Sequence, residues 1–346
     1  MAALYIASMG ESAGKSTLCA GLGKRRQAEG KRVGFLKPLS IAAGVADGDA
    51  EFMKQLLNLE EPVELLCPVI LSAGDLAASL GEENPPWLND VEKAFGKISQ
   101  GKDIVLLEGV GGFESGSDMA KVAGKIVERL KVRAILLVRY GAGMETDKIV
   151  AAAKMFAGNL LGVVINAVPE RRMETVKQQI VPSLEQSGVK VLGVLPEKRE
   201  LYAVTVGELV EHIGGNILNS RERSNELVES VMVGAMSVDS ALSYLQLKPN
   251  KAVITRGDRP DIQLAALETS TKCIVLTNNV APAPGILSRA QELNVPIVSV
   301  ERDTPGTMEI IESVFDNPRI YSEGKVEKIG QILEQNLDLE AVYNAA

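Results

Sequence analysis

The chain has 346 residues, which at roughly 100–200 per domain allows about two domains with separate cores. Its 37 basic and 45 acidic residues leave a net charge of −8; with 24% charged and 46% hydrophobic residues it has a globular composition, and its acidic total argues against a nucleic-acid binder. One histidine, His212, and three distant cysteines, Cys19, Cys67 and Cys273, are too few for a His/Cys zinc site or a haem motif and give no disulfide framework.

Residues 1–8 are apolar but lack the positive start and the roughly 7–15-residue core of a secretion signal, so they read as a strand. No uninterrupted apolar run approaches the ~20 residues of a membrane span. A soluble, cytoplasmic protein with no membrane and no nucleic-acid partner is expected. Up to about residue 200, short Val/Ile/Leu runs alternate with longer amphipathic stretches, the pattern of parallel strands buried between helices. Strands are predicted at 3–7, 32–36, 104–107, 134–138, 161–165 and 189–194. A helix runs from near Gly14 to near Gly30, with Lys24, Arg25 and Arg26 toward its negative carboxyl end. Residues 81–88, with Pro85-Pro86 inside, read as a loop. A second alternating unit starts near Ala203: 204–209 leads into a helix-like segment that carries His212 as a surface residue, and a polar stretch follows at Arg221–Arg223. Strands are predicted at 252–255, 273–276 and 296–300, with helical segments at 261–268 and 284–293. The tail repeats apolar residues at Val326, Ile329, Ile332, Leu333 and Leu337, a helical stripe that packs on a core or on a second copy.

The strand at 3–7 is followed by Met9-Gly-Glu-Ser-Ala-Gly-Lys-Ser-Thr17 and then by a helix. Nucleotide phosphates are held by a ring of backbone N–H groups at a helix amino terminus, and glycines let the backbone wrap that closely. Against G-x-x-x-x-G-K-[ST], Gly14, Lys15 and Ser16 match; Met9 replaces the first glycine and Gly10 follows one place later. Lys15 stands where an ammonium reaches the phosphates, and Ser16 where a hydroxyl ligates Mg²⁺. Two further strand ends bring Lys37-Pro38 with Asp47-Gly-Asp49 behind it, and Glu108-Gly-Val-Gly-Gly112. Ligands sit at the carboxyl ends of strands in open α/β sheets. The side-chain amide of Asn166 can donate and accept together, which suits a purine edge or a capping turn before Pro169.

The phosphate loop, Lys37-Pro38, Glu108–Gly112, Asn166–Pro169 and Gly193-Val-Leu-Pro196 resemble dethiobiotin synthetase, over about residues 1–200. They are most similar to the dethiobiotin-synthetase-like amino-terminal domain of long bacterial phosphate acetyltransferases. The resemblance implies an ATP site with Mg²⁺. Gly10, Glu11, Ser12, Ala13, Gly14, Lys15, Ser16 and Thr17 would surround the nucleotide with Asn166 and Pro196, and Ser16, Asp49 and Glu108 would hold the metal. Lys15, Lys37 and Glu108 are the catalytic candidates, Lys37 facing the anionic reacting group. Two departures stand out: Met9-Gly-Glu-Ser12 replaces the usual threonine- and aspartate-containing loop, and Gly10 stands where partitioning-type ATPases carry an extra lysine.

Residues of about 204–315 resemble the DRTGG domain, through 254–268, 276–279 and Asp303-Thr304. Asn278-Asn279 replace the usual glycine pair, and asparagine tolerates positive φ better than most residues. This resemblance implies a regulatory or dimerisation domain, with a homodimer or higher homo-oligomer and a possible protein partner. Thr255, Arg256, Asp258, Arg259 and Asp303 are candidates to line an anion or nucleotide pocket; surface turn chemistry accounts for them as well. The expected fold is α/β: a doubly wound, mostly parallel P-loop NTPase sheet at 1–200, then a smaller α/β DRTGG-like domain at 201–346 that includes the tail helix. The expected function is a Mg-ATP-binding regulatory or sensor protein. The alternative is an ATPase or ATP-dependent ligase that phosphorylates a carboxylate-like substrate, and acetyl transfer is not expected.

Overall fold

The structure, a computed structural model, describes residues 1–10, 13–41, 48–112, 117–141, 144–156, 158–198, 201, 203–316 and 323–344. The chain divides into two compact units, Met1–Glu197 together with Ile320–Ala346, and Lys198–Arg319.

The first unit is built on six strands: β1 (Ala2–Met9), β2 (Val33–Leu36), β3 (Ile104–Glu108), β4 (Arg133–Arg139), β5 (Leu160–Val168) and β6 (Val191–Pro196). They form one sheet in the order β2-β3-β1-β4-β5-β6, and every neighbouring pair is parallel. All five residues of β3 and the five central residues of β4 are buried, which is why these strands read as continuous apolar runs. From β1 the chain turns first one way along the sheet and later the other, so the loop after β1 lies at the switch point where open α/β sheets bind ligands. The first helix, Lys15–Ala28, follows that loop and ends on Arg25 and Arg26, as expected. The predicted loop at 81–88 is shorter than expected, because a helix, Pro86–Ile98, starts inside it. Proline is favoured in the first turn of a helix, where its missing N–H costs nothing. Trp87 and Leu88 are thereby buried, and the Trp87 indole donates to Ser79 Oγ at 3.0 Å.

The tail was expected with the second half, at 201–346, and instead belongs to the first unit. Its stripe, Val326, Ile329, Ile332, Leu333 and Leu337, is buried. Ile329 and Leu333, in the helix Glu323–Asn336, close on the first helix at Gly21, where no side chain intervenes. The Arg26 guanidinium lies 4.3 Å from the ring centroid of Tyr343, and the Tyr343 hydroxyl donates to Leu22 O at 3.4 Å. Leu337 bridges antiparallel to Gly193 on the edge strand β6, and Asp338 N donates to Leu192 O at 2.7 Å. An apolar stripe states that a helix is covered, not by what. In chain order the second unit is therefore an insertion between β6 and this tail.

The second unit carries β7 (Asn216–Ile217), β8 (Ser230–Val233), β9 (Lys251–Arg256), β10 (Thr271–Thr277) and β11 (Ile297–Ser299), ordered β7-β11-β10-β9-β8, with only β7 antiparallel to its neighbour. Alternate residues feed two cores: Ala252, Ile254, Cys273 and Val275 one, Val253, Ile274 and Leu276 the other. The reading of 204–209 changes at Val206, where a helix, Val206–Ile213, begins. Thr205 and Glu208 form a reciprocal capping box, Thr205 Oγ1 accepting from Glu208 N at 3.1 Å and Glu208 Oε2 from Thr205 N at 2.7 Å. His212 sits exposed in the last turn of this helix. Short β7 and β8 were not foreseen. All three cysteines are buried, and none forms a disulfide among the described residues. Among the described residues no helix is long and apolar enough to cross a membrane.

Lys251, at the start of β9, is buried, and its ammonium donates only to the neutral Thr269 Oγ1 at 2.9 Å and Ser270 O at 3.2 Å. Burial lowers its pKa from 10.5 to about 8. Between those two values the unfolded chain holds a proton that the folded chain has released, so stability rises with pH across that window. Lys251→Met is expected to stabilise the second unit by about 1–3 kcal/mol at pH 7, and the wild-type protein should close that gap as pH rises above about 8. Denaturant titration of both proteins at neutral and alkaline pH checks this, and a pH-independent difference contradicts it.

Candidate functional site

The site starts from β1. Its last polar residue, Ser8, is fully buried and reaches Gly10 O at 3.2 Å and Gly111 O at 3.4 Å, tying the start of the phosphate loop to the turn after β3. Gly10 and Gly14 both take positive φ, 76° and 98°, which glycine adopts without steric cost. Gly14 is the N-cap of the first helix, and among the described residues no side chain caps the helix or places an acid in its first turn. The first-turn amides of Lys15, Ser16 and Thr17 are thus left for an anion. Glu11 and Ser12 lie outside the described residues.

Lys15 Nζ donates to Ser8 Oγ at 2.9 Å and to Gly111 O at 2.8 Å. Burial lowers its pKa; Glu108 opposes that and Lys37 adds to it. Glu108, the last residue of β3, is 3% exposed. Ser16 Oγ donates to its Oε1 at 2.6 Å, and its Oε2 has no hydrogen-bond partner among the described residues. Burial, and then the charge of Asp49, push the Glu108 pKa up, against Lys37, Ser16 and Lys15. Lys37, just beyond β2, pairs with Asp49 in the first turn of the helix Gly48–Leu56 at 2.7 Å. Lys15, Ser16, Lys37, Asp49 and Glu108 are therefore brought within electrostatic reach of one another, as the spacing suggested. Asp47 lies outside the described residues. Among the described residues no three His, Cys, Asp or Glu side chains cluster to cage a metal. A donor set of one hydroxyl and two carboxylates beside a phosphate loop suits Mg²⁺, which takes few protein ligands and shares the rest with phosphate and water.

Asn166 lies on β5, and its Nδ2 donates to Ala13 O in the loop at 2.8 Å. Pro196 ends β6 in register with Val168. Ser8 and Gly111 were not foreseen. The signal for Ser8 was its place as the one aliphatic hydroxyl on β1, next to the phosphate loop; Gly111 acts through its carbonyl, which no residue identity reveals.

In the second unit the candidates are engaged locally. Thr255 is buried and donates to Gly234 O at 3.1 Å. Arg256 grips Asp258 through Nε at 2.9 Å and Nη2 at 2.7 Å, and that hydrogen bond holds the Asp258 carboxyl below its usual range. Arg259 does the same to Asp261 and also donates to Met236 O at 2.9 Å. Asp303 accepts from Gly306 N at 3.0 Å at the start of the helix Thr304–Asp316. These contacts are turn and cap chemistry. Gln263, fully buried, fixes the turn after β9 by donating to Arg256 O at 2.9 Å and Gly257 O at 3.1 Å.

Comparison with known proteins matches residues 2–205 to the AAA domain family and residues 208–314 to the DRTGG domain. The chain is 23% identical to phosphate acetyltransferase of Pseudomonas aeruginosa over 372 aligned positions, covering 98% of this chain and 51% of that enzyme. It is 23% identical to ATP-dependent dethiobiotin synthetase BioD of Methanococcus vannielii, covering 58% of this chain and 95% of that protein. Among solved structures, the MinD cell division protein of Aquifex aeolicus aligns over 58% of this chain and 84% of that one, at 19% identity and a TM-score of 0.35. The chain thus spans about half the length of the acetyltransferase it matches.

Proposed function

This chain belongs to the AAA domain family, and from that premise we propose that its first unit binds Mg-ATP and that the protein acts as an ATP-dependent regulator or sensor. Glu108 carries the reading. A carboxylate oxygen that is buried beside a phosphate loop and lacks a hydrogen bond is costly, and a divalent cation is the group that relieves it. Ser16, Glu108 and Asp49 would hold Mg²⁺, which neutralises phosphate charge when bound. Lys15 and the first-turn amides would bind the phosphates themselves. Insertion of the DRTGG domain between β6 and the tail supports the regulatory half of the proposal, because both ends of that domain connect to segments packed in the nucleotide unit.

Lys37 favours a second reading, in which a carboxylate-like substrate is phosphorylated. Its ammonium, paired with Asp49 and largely buried, stands where it can receive an anionic group. Calorimetric titration with Mg-ATP separates these ideas. Saturable, Mg²⁺-dependent heat is expected, weakened at least tenfold in Glu108→Gln, with metal-free ATP affected far less. Equal affinity in the variant, or no heat in the wild-type protein, overturns the nucleotide site. Carboxylate-dependent ADP formation, with the γ-phosphoryl group transferred to the substrate, favours the second reading over the first.

A further inference from the structure

We propose that Asn166 is a positioning residue that latches the phosphate loop, so that phosphate binding depends on it whatever base the nucleotide carries. This rests on the reading that the loop binds phosphates. A backbone carbonyl only accepts, so it is the amide nitrogen of Asn166, not the oxygen, that faces Ala13 O at 2.8 Å. Ala13 is buried and directly precedes Gly14, whose φ of 98° turns the chain into the first helix. A Cβ on Gly14 would lie 2.6 Å from Asn166 Nδ2 and 3.9 Å from Leu137 Cδ2 on β4. The Asn166 side chain therefore lies directly against the loop backbone at the point where the amides must be aimed.

The local fold is arranged for this contact. The pairing of β5 with β6 slips between Ile165 and Val168, and within that bulge Ala167 takes φ 57°. A left-handed alanine costs of order 1 kcal/mol, and bulges serve to re-aim side chains. The backbone of Asn166 is anchored as well, its carbonyl accepting from Tyr140 N at 2.8 Å just past β4. One residue thus joins β5, the end of β4 and the loop. With one N–H engaged by Ala13, the amide has a single N–H left to present to a base.

Two measurements on Asn166→Ala and Asn166→Asp test the latch. Asp keeps the shape and the acceptor of Asn but cannot donate. In ligand-free protein, amide hydrogen exchange at residues 18–21, whose N–H groups bond back to the start of the first helix from Leu18 N to Gly14 O onward, should accelerate about tenfold in both variants. In calorimetry with Mg²⁺, Asn166→Ala should weaken inorganic tripolyphosphate and ATP by the same factor, about tenfold. Unchanged exchange overturns the latch. So does a variant that loses ATP but keeps tripolyphosphate, which is the behaviour of a base-reading residue. If the wild-type protein binds neither probe, the Mg-ATP reading falls, and the ligand-free exchange alone decides whether Asn166 holds the loop.

Discussion

Lys15→Ala is expected to lower affinity for Mg-ATP by two orders of magnitude or more. In the ligand-free site the ammonium is held by Ser8 Oγ and Gly111 O, both neutral, and burial already disfavours its charge. Phosphate oxygens would replace those acceptors with anionic ones, and hydrogen bonds between charged groups contribute about 1.5–3 kcal/mol each. Loss of two such bonds corresponds to roughly a hundredfold or more in affinity, since about 1.4 kcal/mol is tenfold. The same burial predicts that the ligand-free variant is no less stable than the wild-type protein, because a poorly solvated ammonium has been removed. Calorimetry reads the first quantity and thermal melting the second. Wild-type affinity in Lys15→Ala would remove the phosphate role from this lysine. Lys15→Arg should not restore binding, because the planar guanidinium does not present the compact charge that the Ser8 and Gly111 positions accept.

Gly193→Ala should undock the tail at a cost of about 2–4 kcal/mol. A methyl group on Gly193 would collide with the Asn336 carbonyl oxygen and lie 3.0 Å from Leu337 Cα. Both are backbone atoms, which cannot rotate aside as a flexible side chain would. Relief requires the 336–338 segment to leave β6, breaking the hydrogen bond from Asp338 N to Leu192 O and exposing Leu337. The helix ahead of it then loses one of its anchors while Ile329 and Leu333 still lie on the first helix. Protection from hydrogen exchange across 323–344 and the denaturation midpoint should fall together. Full protection of the tail in the variant would show that the bridge to β6 contributes nothing to docking.

The six strands of the large sheet in the first unit were legible because parallel strands buried on both faces are written as unbroken Val/Ile/Leu runs, whereas the short pair Ser40–Ile41 and Ile70–Leu71 was not. The cluster of Lys15, Ser16, Lys37, Asp49 and Glu108 was legible for a related reason: each stands at or just beyond a strand end or a helix start, and one sheet edge gathers them. Relations that depend on a distant partner were not. Asn166 offered amide chemistry, but nothing local names Ala13, 153 residues earlier, as its acceptor. Pro85-Pro86 looked like a breaker because the same residue that stops a helix also starts one. Arg256 and Arg259 fitted an anion pocket or turn chemistry alike, and only the structure shows that each is paired with an acid two residues on, Asp258 and Asp261.

The tail that closes on Gly21 and Arg26 also sets the order in which the protein matures. The first helix leaves the ribosome long before the residues that cover it, Ile329, Leu333 and Tyr343, about 300 positions further along the chain. About 300 residues at roughly 5–20 per second separate the two events, a delay of about 15–60 s. Through that interval the apolar face of the helix lacks its cover, and contacts of such long sequence separation form slowly. The nucleotide unit therefore reaches its final packing only after the inserted domain has been made, so the domain is always present by the time the phosphate loop is fully supported.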